Sequence, residues 1–484
     1  MTISFAESIA TEIDDISRIS RIPGAAIAIV RDGAIIFSSG FGYRDREAKL
    51  PMSANTSYPI ASTTKALNAT LIGTLVDEGL LAWDEPVQSY FPGFRLQDVA
   101  ASAQVTLRDL IIMRTGLPRH DWAWLANPSS RKDLAEAIRF LDPSAQFRDR
   151  FQYNNLTVTV AGHVAEVVTG LPWEILLRDR ILEPLAMAAT SFSSPSDREA
   201  SLGYHENRCR ELIQSQRLDT DVTAPSGGAV HSTVNDMARW LCFNLEGSRR
   251  SDGPIISATT LAEIHTPRIF TGTDPSAPTP NAGYAMGWFV DRYQSRRRLS
   301  HGGNTHDVNS EVTLFPDERI GIVSFTNFGG LGLARLINQR AFDLLNHLDP
   351  VETLAERMAK YDLAVEALDR RDRGLKKIEG TCPSHSIAEY AGRYLHPGYG
   401  EIELLVQDEG LLLRRGALRL PMRHWHFNAW VVCDNDLFPR HLPNPFDAAS
   451  RFLFEIDEDG AVCALRVSLE PATAPVRFTK ATKS

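Results

Sequence analysis

Apolar positions recur at helical spacing over residues 3–20, where Ile3, Ala6, Ile9, Ala10, Ile13 and Ile16 share one face, and this predicts an amphipathic helix. The period then shortens. Two apolar runs, 25–30 and 34–40, flank Arg31-Asp32-Gly33, and an Asp-Gly pair between such runs predicts a tight antiparallel hairpin. Pro59 and the cluster Ser62-Thr63-Thr64 mark a helix start, and the apolar run from Ala66 to Val76 predicts a buried helix behind it. Residues 80–150 carry mostly helical patterns, opening at 84–87 and at Thr106 and broken by the turn-rich segment 113–121. After Tyr153-Asn154-Asn155 a helix is predicted from Leu156 to about Thr169, ended by Gly170-Leu171-Pro172, and another runs from Trp173 to Ile181. Gly227-Gly228 feeds a helix capped near Ser232 or Thr233, and the Pro-, Thr-, Ser- and Gly-rich stretch 271–283 reads as a loop. Strand patterns follow at 284–290, 311–315 and 321–327, with a turn at 316–319, and then a helix from about Leu331 to Leu348.

The pattern changes twice more. Residues 349–384 are charged and helical in period and read as a linker. From 385 onward, short strand patterns at 402–406, 411–414, 429–432, 452–455 and 462–467 alternate with turn signals such as Asp457-Glu458-Asp459-Gly460. That spacing predicts a small all-β barrel or sandwich. The chain is therefore expected to divide into an α+β domain over 1–348, a charged helical linker over 349–384 and a β domain over 385–484.

Composition narrows the function. A length of 484 residues allows two or three domains with ample core, and 43% apolar with 23% charged residues is ordinary for a soluble globular protein. A net charge of −9 and a pI near 5.8 argue against nucleic acid as a partner. The basic run Arg296-Arg297-Arg298 reads as a solvated loop. The first residues show no basic segment followed by a long apolar core, so no signal peptide, no membrane-spanning helix and a cytoplasmic location are expected. The five cysteines (Cys209, Cys242, Cys382, Cys433 and Cys463) are scattered without a Cys-x-x-Cys pair, which argues against a disulfide framework or a zinc site. No metal or cofactor is expected. The expected partner is a small-molecule or short-peptide substrate, with no membrane or nucleic acid, and the sequence leaves the oligomeric state open.

Three short motifs carry candidate chemistry. In Ser62-Thr63-Thr64-Lys65, the lysine lies one helical turn beyond the serine, on the same face. A serine hydroxyl needs a base beside it, and an ammonium serves only if burial or neighbouring cations lower its pKa. The free N–H groups at the helix start can face a developing oxyanion. Alone, the pattern fits a Ser/Thr cap and a surface lysine better. Tyr153-Asn154-Asn155 stands at a loop-to-helix junction, where a phenol can face a cleft and Asn155 can orient Lys65 or a substrate amide. Alone, it fits a core tyrosine with an asparagine cap. His301-Gly302-Gly303 stands before a strand, where two glycines let a substrate lie against the sheet edge and His301 can donate a hydrogen bond. Alone, it fits a turn with an incidental histidine. Together the three occur in order, about 90 and about 150 residues apart, and the joint pattern outweighs the separate readings.

With these motifs the sequence resembles the serine β-lactamase and penicillin-binding-protein superfamily, and more narrowly the class C β-lactamase-related hydrolases, which include D-aminopeptidases, D,D-carboxypeptidases and esterases. The likeness covers residues 1 to about 348 and extends to 113–118, 227–238 and Ser324-Phe325-Thr326-Asn327. The tail from about 385 resembles a small lipocalin-like β domain appended to such hydrolases. The resemblance implies an antiparallel sheet flanked by helices plus an all-helical region. It implies that Ser62 is acylated, that Lys65 activates it, that Tyr153 is base or acid and that Asn155 binds substrate and Lys65. His301 would occupy the position of the lysine in the β-lactamase Lys-Thr-Gly triplet. Gly302 and Gly303 would lie along the substrate, and the backbone N–H groups of Ser62 and Asn304 would form the oxyanion hole. Histidine in place of a fixed cation argues against efficient β-lactamase action and for peptide, amide or ester substrates. A non-catalytic binding protein on the same fold is the alternative from another class.

Overall fold

The computed structural model describes residues 5–482 apart from 128, 194–198, 208, 217, 219, 248, 251–252, 273, 276, 434–436 and 438–449. Ile3, the first residue of the predicted amphipathic face, lies outside the described residues. The predicted hairpin forms as Gly24–Arg31 and Ala34–Asp45, and it belongs to a nine-stranded sheet. Across that sheet the order is Ile269–Phe270, Gly283–Tyr284, Phe289–Tyr293, Arg296–Asn304, Asn309–Phe315, Ile320–Thr326, Gly24–Arg31, Ala34–Asp45 and Leu50–Pro51, and every pairing is antiparallel.

The continuous apolar run 25–30 has a direct explanation. Alternate side chains of a strand point to opposite faces. Ala26, Ala28 and Val30 join the core shared with the helical region, whereas Ala25, Ile27 and Ile29 join a second core on the other face. Both faces are covered, so no position in the run is polar. The second core is closed by the helices Phe5–Ser20 and Leu333–Leu345, the first burying Ile9, Ile13 and Ile16. Burying each isoleucine is worth about 1.5–3 kcal/mol. On the opposite face, Val234–Glu246 packs Trp240 and Leu241 toward the sheet. Beyond it lies Thr64–Asp77, buried along almost its whole length, which accounts for an apolar pattern with no polar face.

Several sequence expectations change. The 284–290 stretch is two strands, parted at Gly287, where φ is +82°. Arg296-Arg297-Arg298 is not a solvated loop: it opens the Arg296–Asn304 strand, and His301-Gly302-Gly303 lies inside that strand instead of before it. Arg298 sits across from Asp291 on the neighbouring strand and donates to both of its oxygens, at 2.8 and 2.7 Å, with both side chains only 2% exposed. Thr279 Oγ1 donates to the same carboxylate at 2.9 Å. The partner that permits this burial stands on the adjacent strand, so the local run of arginines gives no sign of it. Removing one member strands the other charge, so Asp291→Ala is expected to cost about 3–5 kcal/mol. A urea titration should show a lower midpoint for Asp291→Ala, and a smaller loss for the double variant Asp291→Leu/Arg298→Leu.

The charged segment after the sheet domain forms the helix Leu354–Arg373, opened by a Thr353–Glu356 capping box. It is not free in solvent. Tyr361 and Val365 pack into the second core, and Tyr361 Oη donates to Glu206 at 2.9 Å.

The β region is a closed eight-stranded barrel from Gly392–His396 to Val476–Lys480, the first strand pairing with the last through Tyr394↔Lys480 and Leu395↔Thr479. Of the two sequence alternatives, barrel and sandwich, it is the barrel. Three strands escape the sequence reading: Gly392–His396, Leu418–His426 and Val476–Lys480. Leu418–His426 buries alternate residues through Leu418, Leu420 and Met422, but Pro421 within it speaks against a strand. In the barrel the Pro421 side chain faces outward.

Candidate active site

The three motifs converge. Ser62 sits in a short 3-10 turn, Ala61–Thr63, directly before the buried helix. Ala61 is held at φ +48°, a left-handed conformation that costs a non-glycine residue of order 1–3 kcal/mol. The surroundings impose that turn. Ile60 N–H donates to the Val230 carbonyl at 2.9 Å, and Ser310 Oγ donates to the Ile60 carbonyl at 2.8 Å. Ser62 is half-buried and Lys65 fully buried.

Lys65 Nζ lies 2.9 Å from Ser62 Oγ and 2.7 Å from Asn155 Oδ1, and it also reaches the Ser226 carbonyl. Burial pushes the Lys65 pKa well below its ordinary value, and the Arg119 guanidinium pushes it further, against a smaller opposite effect of Asp121. Asn154 caps the helix Asn155–Thr169 by accepting from Thr157 N–H, which frees Asn155 to face the lysine. The cap and the residue that meets Lys65 are therefore neighbours in sequence.

Tyr153 is buried, and its phenol hydrogen-bonds to the Ser62 hydroxyl. Burial raises the Tyr153 pKa, while that hydrogen bond and Arg119 pull it the other way. The phenol therefore keeps its proton. Lys65 Nζ stands 4.8 Å and the Arg119 guanidinium 4.9 Å from the centre of its ring.

His301 changes character. Its Nδ1 meets the Gly302 carbonyl at 2.7 Å and its Nε2 meets the Tyr284 hydroxyl at 3.2 Å. Burial, with the charge on Lys65, pushes its pKa down to about 3. The expected titratable donor is thus a neutral side chain with both nitrogens engaged, and its ring stands 6.2 Å from that of Tyr153. Neither the burial nor Tyr284 could be foreseen from the triplet alone.

The strand carrying His301 pairs with Phe289–Tyr293 only as far as Ser300, so His301–Asn304 has one open edge. Gly303 is needed for close approach: a methyl there would sit 2.4 Å from the Ile60 carbonyl oxygen and 3.1 Å from Ala61 Cβ. Gly302, next along this edge, stands opposite the buried Glu311. Asn304, at the end, is exposed, and its Oδ1 accepts from Asn309 at 2.8 Å.

Three contributors were not singled out by sequence. Ser226 offers only its backbone carbonyl. Arg119 and Asp121 come from the turn-rich 113–121 segment. Arg119 Nε donates to Asp121 Oδ2 at 2.7 Å, and Asp121 Oδ1 accepts from Asn155 at 3.2 Å. Among the described residues, no group of three or more His, Cys, Asp or Glu side chains is placed to hold a metal ion.

The family model described as Beta-lactamase matches residues 9–346, and one described as a domain of unknown function, DUF3471, matches residues 376–480. Among curated proteins, the unguisins hydrolase ungD of Aspergillus violaceofuscus is 29% identical over 433 residues, covering 82% of this chain and 76% of its own length. Its counterpart ungD' of Aspergillus campestris is 27% identical over 420 residues, covering 81% and 76%. Protein flp of Staphylococcus aureus (strain MRSA252) is 26% identical over 366 residues, covering 75% and 70%. Among solved structures, an octameric penicillin-binding protein homologue from Pyrococcus abyssi superposes with a TM-score of 0.63 at 22% identity, covering 98% of this chain and 99% of its own. That likeness extends the shared fold across both the sheet domain and the barrel. The family match spans the Ser62, Tyr153 and His301 motifs together, and the chain belongs to the Beta-lactamase family.

Proposed function

We propose that the protein is a serine hydrolase working through an acyl-enzyme on Ser62, with small peptides or amides as substrates, D-amino-acid-containing ones among them. One observation carries this reading: the Lys65 amine lies 2.9 Å from Ser62 Oγ in surroundings that disfavour its charged form. A neutral amine has two N–H donors and one lone pair. Asn155 Oδ1 and the Ser226 carbonyl take the donors, which leaves the lone pair for the Ser62 hydroxyl.

In the first step Ser62 Oγ attacks the substrate carbonyl carbon and its proton passes to Lys65 Nζ. The carbonyl electron pair moves onto oxygen, facing the N–H groups of Ser62 and Asn304. The bond to the leaving group then breaks, and the leaving group takes the Tyr153 phenol proton. Water next attacks the acyl ester and gives a proton to the Tyr153 phenolate. Ser62 Oγ departs with the proton held on Lys65, and every group ends as it began.

Neutral His301, beside Gly302 and Gly303, offers no cation to a penicillin carboxylate, which favours peptide and amide substrates. Relatives named as hydrolases support the reaction class. Intact-protein mass spectrometry after a fluorophosphonate probe should give one adduct, mapping to the Ser62 peptide. A panel of D- and L-aminoacyl p-nitroanilides, p-nitrophenyl esters and nitrocefin should then show anilide turnover. Ester turnover alone would make the protein a carboxylesterase, and nitrocefin turnover a weak β-lactamase. No adduct at Ser62 would leave a binding protein on a hydrolase fold.

A further inference from the structure

The barrel touches the loop that carries Arg119 and Asp121, and it does so from one end. Three of its hairpin connections, around Tyr399, Gly416 and Glu470, link its first and second, third and fourth, and seventh and eighth strands. In an up-and-down barrel these lie at the same end. His120, between Arg119 and Asp121, is buried in a left-handed conformation at φ +46° and ψ +37°. A histidine persists there only where its surroundings over-determine it. Those surroundings are largely the barrel: the Tyr399 hydroxyl meets His120 Nδ1 at 2.7 Å, and Glu470 Oε2 accepts from His120 N–H at 3.0 Å. On the sheet-domain side, the Asp142 carbonyl meets His120 Nε2 at 2.9 Å.

Arg415 completes the contact. Its guanidinium is buried, pairs with no carboxylate among the described residues, and donates to the Trp122 and Leu125 carbonyls at 2.6 and 3.2 Å. A charge desolvated in this way is costly unless the groups around it are placed for it. Beside it, Gly416 allows close approach: a methyl would stand 2.6 Å from the Ala126 carbonyl oxygen. The barrel therefore holds the 117–127 loop through three side chains, two of which are themselves fixed within the barrel: Glu470 Oε1 accepts from Ala472 N–H at 3.1 Å, and the Tyr399 ring packs against His396 and Phe478.

We propose that the C-terminal barrel is a positioning element of the active site, in which Tyr399, Glu470 and Arg415 hold the 117–127 loop so that Arg119 stays over Tyr153 and Asp121 stays on Asn155. This rests on the serine-hydrolase reading. None of the three touches Ser62, so each acts through the loop.

The test is a double-mutant cycle read as the second-order rate of fluorophosphonate labelling, with melting temperature measured in parallel. The clamp variant is Tyr399→Phe/Glu470→Gln, which removes or weakens one hydrogen bond at each residue, and the loop variant is Arg119→Ala/Asp121→Ala, which removes both side chains through which the loop reaches the site. Each is expected to slow labelling by about 10–100-fold, as small misplacements at reacting groups do. Combining them should slow it no further than the slower of the two, because the clamp works through Arg119 and its neighbours. Losses that multiply would overturn the proposal, and so would clamp variants that label at the wild-type rate. Arg415→Lys, which keeps the charge but loses the fork of donors, is a second clamp variant should the first unfold, and it faces the same two criteria. Failure of wild type to label at Ser62 would instead strike the hydrolase reading, so the two failures are distinct.

Discussion

Exchanging Ser62 for alanine is expected to erase the fluorophosphonate adduct and to lower kcat against any turned-over substrate by about 10⁴-fold or more. Loss of the nucleophile removes the covalent route altogether and leaves only binding and the oxyanion donors. The fold should survive, because the hydroxyl bonds only within the site, to Lys65 and Tyr153. The strained turn at Ala61 is imposed by Val230 and Ser310, not by the Ser62 side chain. The measurement is intact mass after labelling, with circular dichroism to verify folding. An adduct of undiminished yield on folded Ser62→Ala would place the nucleophile elsewhere.

The second large effect is at Lys65. Lys65→Met keeps the length of the side chain and removes the proton acceptor, so the labelling rate should fall by about 10²–10⁴-fold, the usual contribution of a general base. The pH dependence gives the sharper criterion. Only the neutral amine accepts the serine proton, and burial with the Arg119 charge sets its pKa well below that of a free lysine. Asp121 opposes this in part, and neutral His301 and the protonated Tyr153 add no charge. In wild type the rate should therefore rise with pH through that lowered pKa and level off above it. In Lys65→Met this acid limb should vanish along with the rate. A variant that retained both rate and limb would assign the base to another group.

How much of this was legible beforehand depended on distance along the chain. Ser62 and Lys65 lie one helical turn apart, so their juxtaposition follows from the local helix signal alone. Asn155 could be proposed beside Lys65 because an asparagine at a helix start is recognisable, although Asn154 turned out to supply the cap. His301 was found by its triplet, but its neutrality comes chiefly from burial within a strand whose arginines resemble a loop. Arg298 is the clearest case: three consecutive arginines suggest solvent, and only the cross-strand Asp291 makes burial affordable. Ser226 contributes a main-chain oxygen, which no side-chain motif encodes. Arg119 and Asp121 sit on a loop that bonds, through His120, to residues 279 and 350 positions later in the chain. In the barrel, Leu418–His426 alternates as a strand does while Pro421 within it signals the opposite, and this strand escaped the sequence reading.

The sheet joins chain regions made far apart in time. Ala25 pairs with Thr326 and Arg31 with Ile320, so the first hairpin waits, with an unpaired inner edge, until the last sheet strand emerges from the ribosome. At about 5–20 residues per second, that interval is roughly 15–60 s. An apolar strand edge exposed for so long invites pairing with other chains. The barrel closes later along the chain, when Lys480 reaches Tyr394. A nascent chain of this protein therefore carries an unpaired strand edge until Ile320–Thr326 is made, and the loop beside Ser62 gains its barrel contact only once Glu470 has followed.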